Sequence, residues 1–473
     1  MRLIAQHKSL YYFIHGVNAV LACASQLMAP EKSYLALIFT FSVMTFLLSI
    51  FEKRYNLLFM MRTFFLGIVG YIAMGTMLLN ENLLFGYHMH ESQTLEIASV
   101  MYVCTALALL GNEIGLGLAG KQIPISHHAI PGVSPHRWLM LGLLAFIVAA
   151  VSGQLIANHM GPTILVSGYG VDPNESSLLL NNLNSVVNVS IYLLFLAWLV
   201  TRSRILLGAL VFAFFYTLIY CQFLRGIRMD VLNAILGCYV IYTLALRKSP
   251  HIKIKHLTVL SIAFIFIQAM GALRSVMYTG LFSFEDLLTA LSYLTSIEDA
   301  AGIAFNQGTI NDIATTFSGI IFLLRNHIVD WANGQSYLDF IARTPPQFML
   351  PNRPPDLSAI FVNLGYSSGG GFFEVAEAYF NFAYLGCLFV PAVISYIIAR
   401  AYYKVKSVGT LWNYFVLFGI MSVWMRGLLY QTFAFWKAFV TAALLYFIFN
   451  LVSSLLTSAS TKKENKQCVE FLG

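Results

Sequence analysis

Charge is scarce in this chain: 28 Lys and Arg and 21 Asp and Glu make up 10% of 473 residues, against 58% hydrophobic residues and a mean hydropathy of +0.73. A water-soluble fold of that composition would expose far more apolar surface than water tolerates, which excludes a soluble enzyme or binding module. Cysteine is sparse as well. Of the six, Cys23, Cys104, Cys221, Cys238 and Cys387 fall in apolar runs and Cys468 near the C-terminus, so no disulfide between aqueous loops is expected. Their spacing matches no zinc pattern, and His127, His128 and His136 crowd one loop without acidic or thiol partners, so no metal site is expected. No internal repeat is visible. Segments 80–94 and 158–182 hold no Lys or Arg.

What is abundant is apolar sequence in runs close to the roughly 20 residues that cross a hydrocarbon layer of about 30 Å. Twelve spans are predicted, at 10–28, 34–51, 57–79, 95–118, 138–157, 183–200, 205–224, 229–246, 257–273, 376–399, 411–425 and 433–456. The fold class is therefore an all-α polytopic membrane protein of about 12 helices. The first run carries a basic prelude, Arg2 and Lys8, and an Ala-Cys-Ala ending that imitates a cleavage site. His15 and Asn18 interrupt its apolar core, so it reads as an uncleaved helix.

With the N-terminus inside, 19 of the 28 Lys and Arg collect on one side, which is net +15 while the other is net −8. That bias predicts cytoplasmic termini. It accounts for the basic balance without nucleic acid. Residues 1–273 then hold nine spans and 274–375 form a large extracytoplasmic loop; 376–456 hold three more spans and 457–473 a cytoplasmic tail. The long loop contains an apolar run at 314–324 too short to span, which reads as a helix in the interface or dipping through it. A glycine-rich turn at 369–371 leads into the tenth span with Glu374 and Glu377. Arg62 and Glu113, both near the cytoplasmic boundary, are expected to form an intramembrane ion pair.

Arg225, Arg228, Arg274, Arg426 and Lys437 all fall at the outer end of a span, against the charge bias of that side. One reading is snorkelling at helix ends. The other is a site for a multiply charged anion at headgroup depth, because guanidinium forks grip phosphate oxygens bidentately. A lipid-linked diphosphate fits that description.

Arg225-Gly-Ile-Arg-Met-Asp230 leading into an apolar helix, the large outer loop, and the run from Gly369 through Glu374, Glu377, Tyr379 and Asn381 to Gly386 resemble the bacterial O-antigen polymerases, also called oligosaccharide repeat-unit polymerases. The likeness is best over 205–431. It implies a fold like the GT-C-type membrane glycosyltransferases and a multi-pass protein of the bacterial inner membrane with its active site facing the periplasm. The implied reaction moves a glycan from undecaprenyl diphosphate onto a sugar hydroxyl of a second lipid-linked repeat unit, and a chain-length regulator is an implied partner besides membrane lipid. Arg225, Arg228, Arg274 and Arg426 are the candidates for holding the diphosphate, with no cofactor or metal required. Glu377, then His327, are the candidates for the base that activates the acceptor; Glu374, Glu298 and Asp299 rank below them. Tyr379 and Asn381 are the candidates for contacting sugar. Two alternatives stay open: an O-antigen ligase, which uses the same donor, and a lipid-linked oligosaccharide flippase or other transporter.

Overall fold

The computed structural model describes residues 2–27, 32–52, 56–79, 90–120, 135–160, 186–220, 229–246, 309–345 and 372–432, most of 434–451 and a few isolated positions besides. Among these residues the protein is helical throughout, with no strand. The helices are α1 (Arg2–Leu27), α2 (Lys32–Glu52), α3 (Leu57–Leu79), α4 (Glu91–Gly120), α5 (Pro135–Met160), α6 (Val187–Thr201), α7 (Arg204–Ala213, running on as a π-helix over Phe214–Tyr220) and α8 (Met229–Leu246). They continue with α9 (Thr309–Arg325), α10 (Gln335–Ala342), α11 (Glu374–Ser407), α12 (Leu411–Ser422) and α13 (Trp424–Leu429). Among the described residues four helical segments are long and apolar enough, by length and composition, to cross a membrane: Leu58–Met77, Glu91–Ala119, Trp138–Leu155 and, counted through the bend described below, Glu374–Ser407. The predicted ninth span lies outside the described residues.

α4 is the central post. Ile97, Ala98 and the run from Val100 to Ala106 are buried on every side of the helix, the pattern of a helix surrounded by others rather than of one that lines a surface. It packs against α11, α3 and α1. Gly111 and Gly115 put bare backbone against α11: a Cβ on either would sit 2.0 or 2.1 Å from the carbonyl oxygens of Leu388 and Ala392. Four residues apart, they form the small-xxx-small face that lets two membrane helices approach to backbone contact.

α9 belongs to this core. Ile313, Ala314, Phe317, Ile320, Ile321 and Leu324 recur at helical spacing and are buried, and the helix packs on α3, α4 and α11. The segment read as a helix lying in or dipping through the interface is thus an inner element.

The predicted tenth span is corrected by the backbone of α11. Phe382 (φ −140°, ψ 23°) and Ala383 (φ 52°, ψ −144°) are not helical, and beyond them the chain reverses. The Cys387 thiol donates to the carbonyl of Val375 at 3.6 Å, and a Cβ on Gly386 would meet the Ala378 carbonyl at 2.1 Å. In a straight helix, residues twelve apart are separated by about 18 Å. α11 is therefore a hairpin: a half-helix α11a (374–381) lies antiparallel to the start of a long arm α11b (384–407). Because α11a folds back on α11b, Glu374, the first residue of the half-helix, is buried beside the middle of the arm, where Arg62 bonds both it and Ser395.

The predicted eleventh span is also broken, at Val423. Asn233 of α8 fills the gap: its side-chain amide donates to the Ser422 carbonyl at 2.9 Å, and its side-chain oxygen accepts from the Met425 N–H at 3.0 Å. One amide thus serves an orphan carbonyl at the end of α12 and an orphan N–H at the start of α13. Asn188 adds a second donor to Ser422 at 3.2 Å.

Candidate functional site

The hairpin draws the site together. An eight-residue helix is too short to hold itself, so its position is set by what grips its ends. At the deep end Glu374, fully buried, receives a two-pronged contact from the buried guanidinium of Arg62; the Nη1 to Oε2 distance is 2.6 Å. Arg62 Nε also donates to Ser395 Oγ of α11b at 3.2 Å. Ser395 donates to Asn112 Oδ1 at 2.7 Å, and Asn112 Nδ2 donates to Thr63 and to Glu113. The expected Arg62–Glu113 pair is therefore corrected: the carboxylate partner is Glu374, which reaches Arg62 only because the chain folds back at 382–383.

At the other end, the turn after α9 clasps the last residues of α11a. The Ala332 N–H donates to the Phe380 carbonyl at 3.1 Å and the Gly334 N–H to Asn381 Oδ1 at 3.0 Å. Asn381 Nδ2 donates to Ser336 Oγ at 2.7 Å and to the Glu377 carbonyl at 2.8 Å. Both amide hydrogens of this buried side chain are thereby used within the protein.

Glu377 lies one turn beyond Glu374 and is buried. Oε1 accepts from Ser336 Oγ at 3.1 Å and Oε2 from the Thr432 N–H at 2.9 Å. This carboxylate joins three stretches of chain, around 336, 377 and 432. Tyr379 is buried beneath Trp331, with ring centroids 5.3 Å apart, edge to face.

His327 caps α9. It has φ 55°, the Ile328 N–H donates to the Leu323 carbonyl and the His327 N–H to the Leu324 carbonyl, the bond pattern of a Schellman ending with His327 in the place glycine usually takes. Its imidazole is exposed.

Of the four candidate arginines only Arg426 is among the described residues; Arg225, Arg228 and Arg274 lie outside them, as do Glu298 and Asp299. Arg426 is exposed on α13 and within electrostatic reach of Asp230 of α8, whose carboxylate accepts from Asn188 at 3.4 Å. Arg325, at the end of α9, pairs with Glu96 of α4 and is within electrostatic reach of Tyr379 and Tyr384.

Above the hairpin tip opens a cavity of about 520 Å³. It is lined by Trp331, Asn333, Asn381, Phe382, Ala383, Leu385, Gly386 and Phe389. Leu385 and Phe389 are 66% and 59% exposed, and Val393 and Ile397 continue the same apolar face along α11b. The lining thus combines a tryptophan and asparagines with exposed apolar side chains. Two of the lining residues, Asn333 (φ 48°) and Ala383 (φ 52°), hold positive-φ backbone, and such outliers concentrate where function holds them.

Sequence reasoning singled out Glu377, Tyr379, Asn381 and His327 but missed Trp331, Asn333, Ser336 and Thr432, which complete the arrangement around them. The only signal was the Asn333-Gly334 pair, a turn marker. Among the described residues no three His, Cys, Asp or Glu side chains cluster as metal ligands. No protein-family model, curated protein or solved structure matches the chain.

Proposed function

We propose that this membrane protein is an O-antigen or oligosaccharide repeat-unit polymerase, transferring an undecaprenyl-diphosphate-linked glycan onto a second lipid-linked repeat unit at the periplasmic face of the bacterial inner membrane. The observation that carries the reading is the cavity over the hairpin tip. A lipid-linked saccharide is polar at one end and isoprenoid at the other, and the cavity lining offers Trp331 and Asn333 together with exposed apolar side chains. The stretch with the family resemblance, from Gly369 to Gly386, contributes the hairpin that builds it. In this reading Glu377 is the base, brought to the acceptor hydroxyl when its bonds to Ser336 and Thr432 loosen on substrate binding. Arg426, with Arg225, Arg228 and Arg274, holds the departing diphosphate, and Arg325 joins them from the end of α9. Tyr379 supports Trp331 from below, and Asn381 fixes the turn that carries Asn333.

A transporter of lipid-linked oligosaccharides is the second reading, and one observation favours it: a discontinuous helix with a buried ion pair at its inner end is a feature of transport proteins. The two part on one experiment. Purified protein in sealed proteoliposomes, given lipid-linked repeat units in the bilayer, is expected to extend them into a ladder of polymer. No extension, with repeat units carried across a sealed bilayer instead, establishes the transporter. In cells, deletion of the gene is expected to leave lipopolysaccharide with one repeat unit on the core; bare core points to a ligase or an earlier step.

A further inference from the structure

We propose that Arg62 is a positioning residue for the site, setting the height of Glu377 and of the cavity wall through its grip on Glu374. The proposal rests on the polymerase reading only for the effect on rate; the mechanical part stands on geometry alone.

Ser395 is twelve residues along α11b from the tip at Ala383, about 18 Å. Arg62, bonded to Ser395, is fully buried at that distance from the tip. A charge so placed is costly, and an apolar pair of similar size would stabilise the fold at least as well. What an apolar pair cannot supply is a fixed distance and rotation. The guanidinium holds Glu374 through two parallel bonds and Ser395 through a third, so it fixes the half-helix against the arm beside it. Ser395 is tied to Asn112 and Asn112 to Thr63, which fixes the guanidinium against α3 and α4. Glu377 follows Glu374 by three residues, about 4.5 Å of helix rise. Any slide or turn of α11a at its deep end therefore reaches the carboxylate, then Asn381 and the turn it holds.

Lysine in place of Arg62 keeps the charge but has no fork and no Nε, so it cannot hold Glu374 and Ser395 at once in fixed geometry. The test uses Arg62→Lys and the double variant Arg62→Met with Glu374→Met in the full-length protein in nanodiscs. Three quantities are read: thermal unfolding, the rate at which Phe382→Cys at the hairpin tip reacts with a water-soluble maleimide, and kcat and KM for extension of lipid-linked repeat units. Both variants are expected to stay folded, to change the labelling rate severalfold, and to lose about a hundredfold in kcat with KM nearly unchanged, as misplacement of a reacting group by about 1 Å does. Wild-type labelling and kcat in the double variant overturn the proposal. So does loss of folded protein in both variants, because Arg62 then serves stability. If wild-type protein shows no extension at all, the polymerase reading fails while labelling and unfolding still decide whether Arg62 sets the tip.

Discussion

The thiol of Cys387 points back to the carbonyl of Val375, twelve positions earlier in the chain. That contact places the reversal at Phe382 and Ala383, where no glycine or proline marks a turn. Ala383 holds φ 52° with ψ −144°, a region that glycine enters freely and alanine rarely does. Ala383→Gly is expected to raise the unfolding midpoint in nanodiscs, by about 1 kcal/mol of stability, and Ala383→Val to lower it. A neutral or destabilising glycine would mean that the reversal is not strained.

His327 offers a way to separate cap from catalyst. Glycine suits its left-handed position, so His327→Gly is expected to keep the α9 ending and to gain about 0.5–1 kcal/mol. If the imidazole is the base, polymer formation disappears in this more stable protein. Full activity removes His327 from the reaction.

Glu377→Gln tests the first candidate. The amide keeps an oxygen for the Thr432 N–H, so the protein is expected to fold and to bind lipid-linked donor while extension falls below detection. Extension at the wild-type rate would make Glu377 a structural clasp between the segments around 336 and 432.

Trp331 is expected to act on binding. It lines the cavity together with Asn333 and Asn381 and packs edge to face against Tyr379. Trp331→Ala should raise KM by about two- to tenfold, the equivalent of about 0.5–1.5 kcal/mol of lost aromatic contact, with kcat nearly unchanged. A fall in kcat alone would place Trp331 near the reacting atoms instead.

The approach of α4 to α11 gives a stability prediction. Gly111→Ala and Gly115→Ala drive a methyl group into backbone carbonyls that cannot swing aside, and each is expected to cost about 1–3 kcal/mol. Gly75→Ala, on α3 with nothing within 4 Å, is the control and should gain up to about 1 kcal/mol. Unfolding midpoints of the three proteins check both signs.

Much of the helical layout was legible because apolar runs announce themselves. The predicted span at 229–246 coincides with α8, Met229–Leu246, and that at 57–79 with α3, Leu57–Leu79. What the runs hide is direction. Residues 376–399 read as one apolar stretch, but hydropathy is blind to a reversal made by Phe382 and Ala383, neither of which is a turn residue. That single omission kept Glu374 away from the middle of the arm and left Arg62 matched with Glu113, its neighbour in predicted depth. The break at Val423 was equally silent, because the amide that makes it tolerable belongs to Asn233, on another helix. Glu377, Tyr379 and Asn381, all from one glycine-led segment, lie together on the half-helix, where Glu377 is bonded to Ser336 and Thr432 and Asn381 holds a turn.

The bond between Arg62 and Glu374 spans 312 positions, and this separation imposes an order in time. A ribosome adding about 5–20 residues per second needs about 15–60 s to travel from one to the other. Throughout that interval the cation has been delivered to the bilayer while its carboxylate has not yet been made. Newly inserted N-terminal helices therefore wait in an incomplete state, with the guanidinium lacking the carboxylate that holds it in the finished fold, and the site closes only when the last third of the chain has been synthesised.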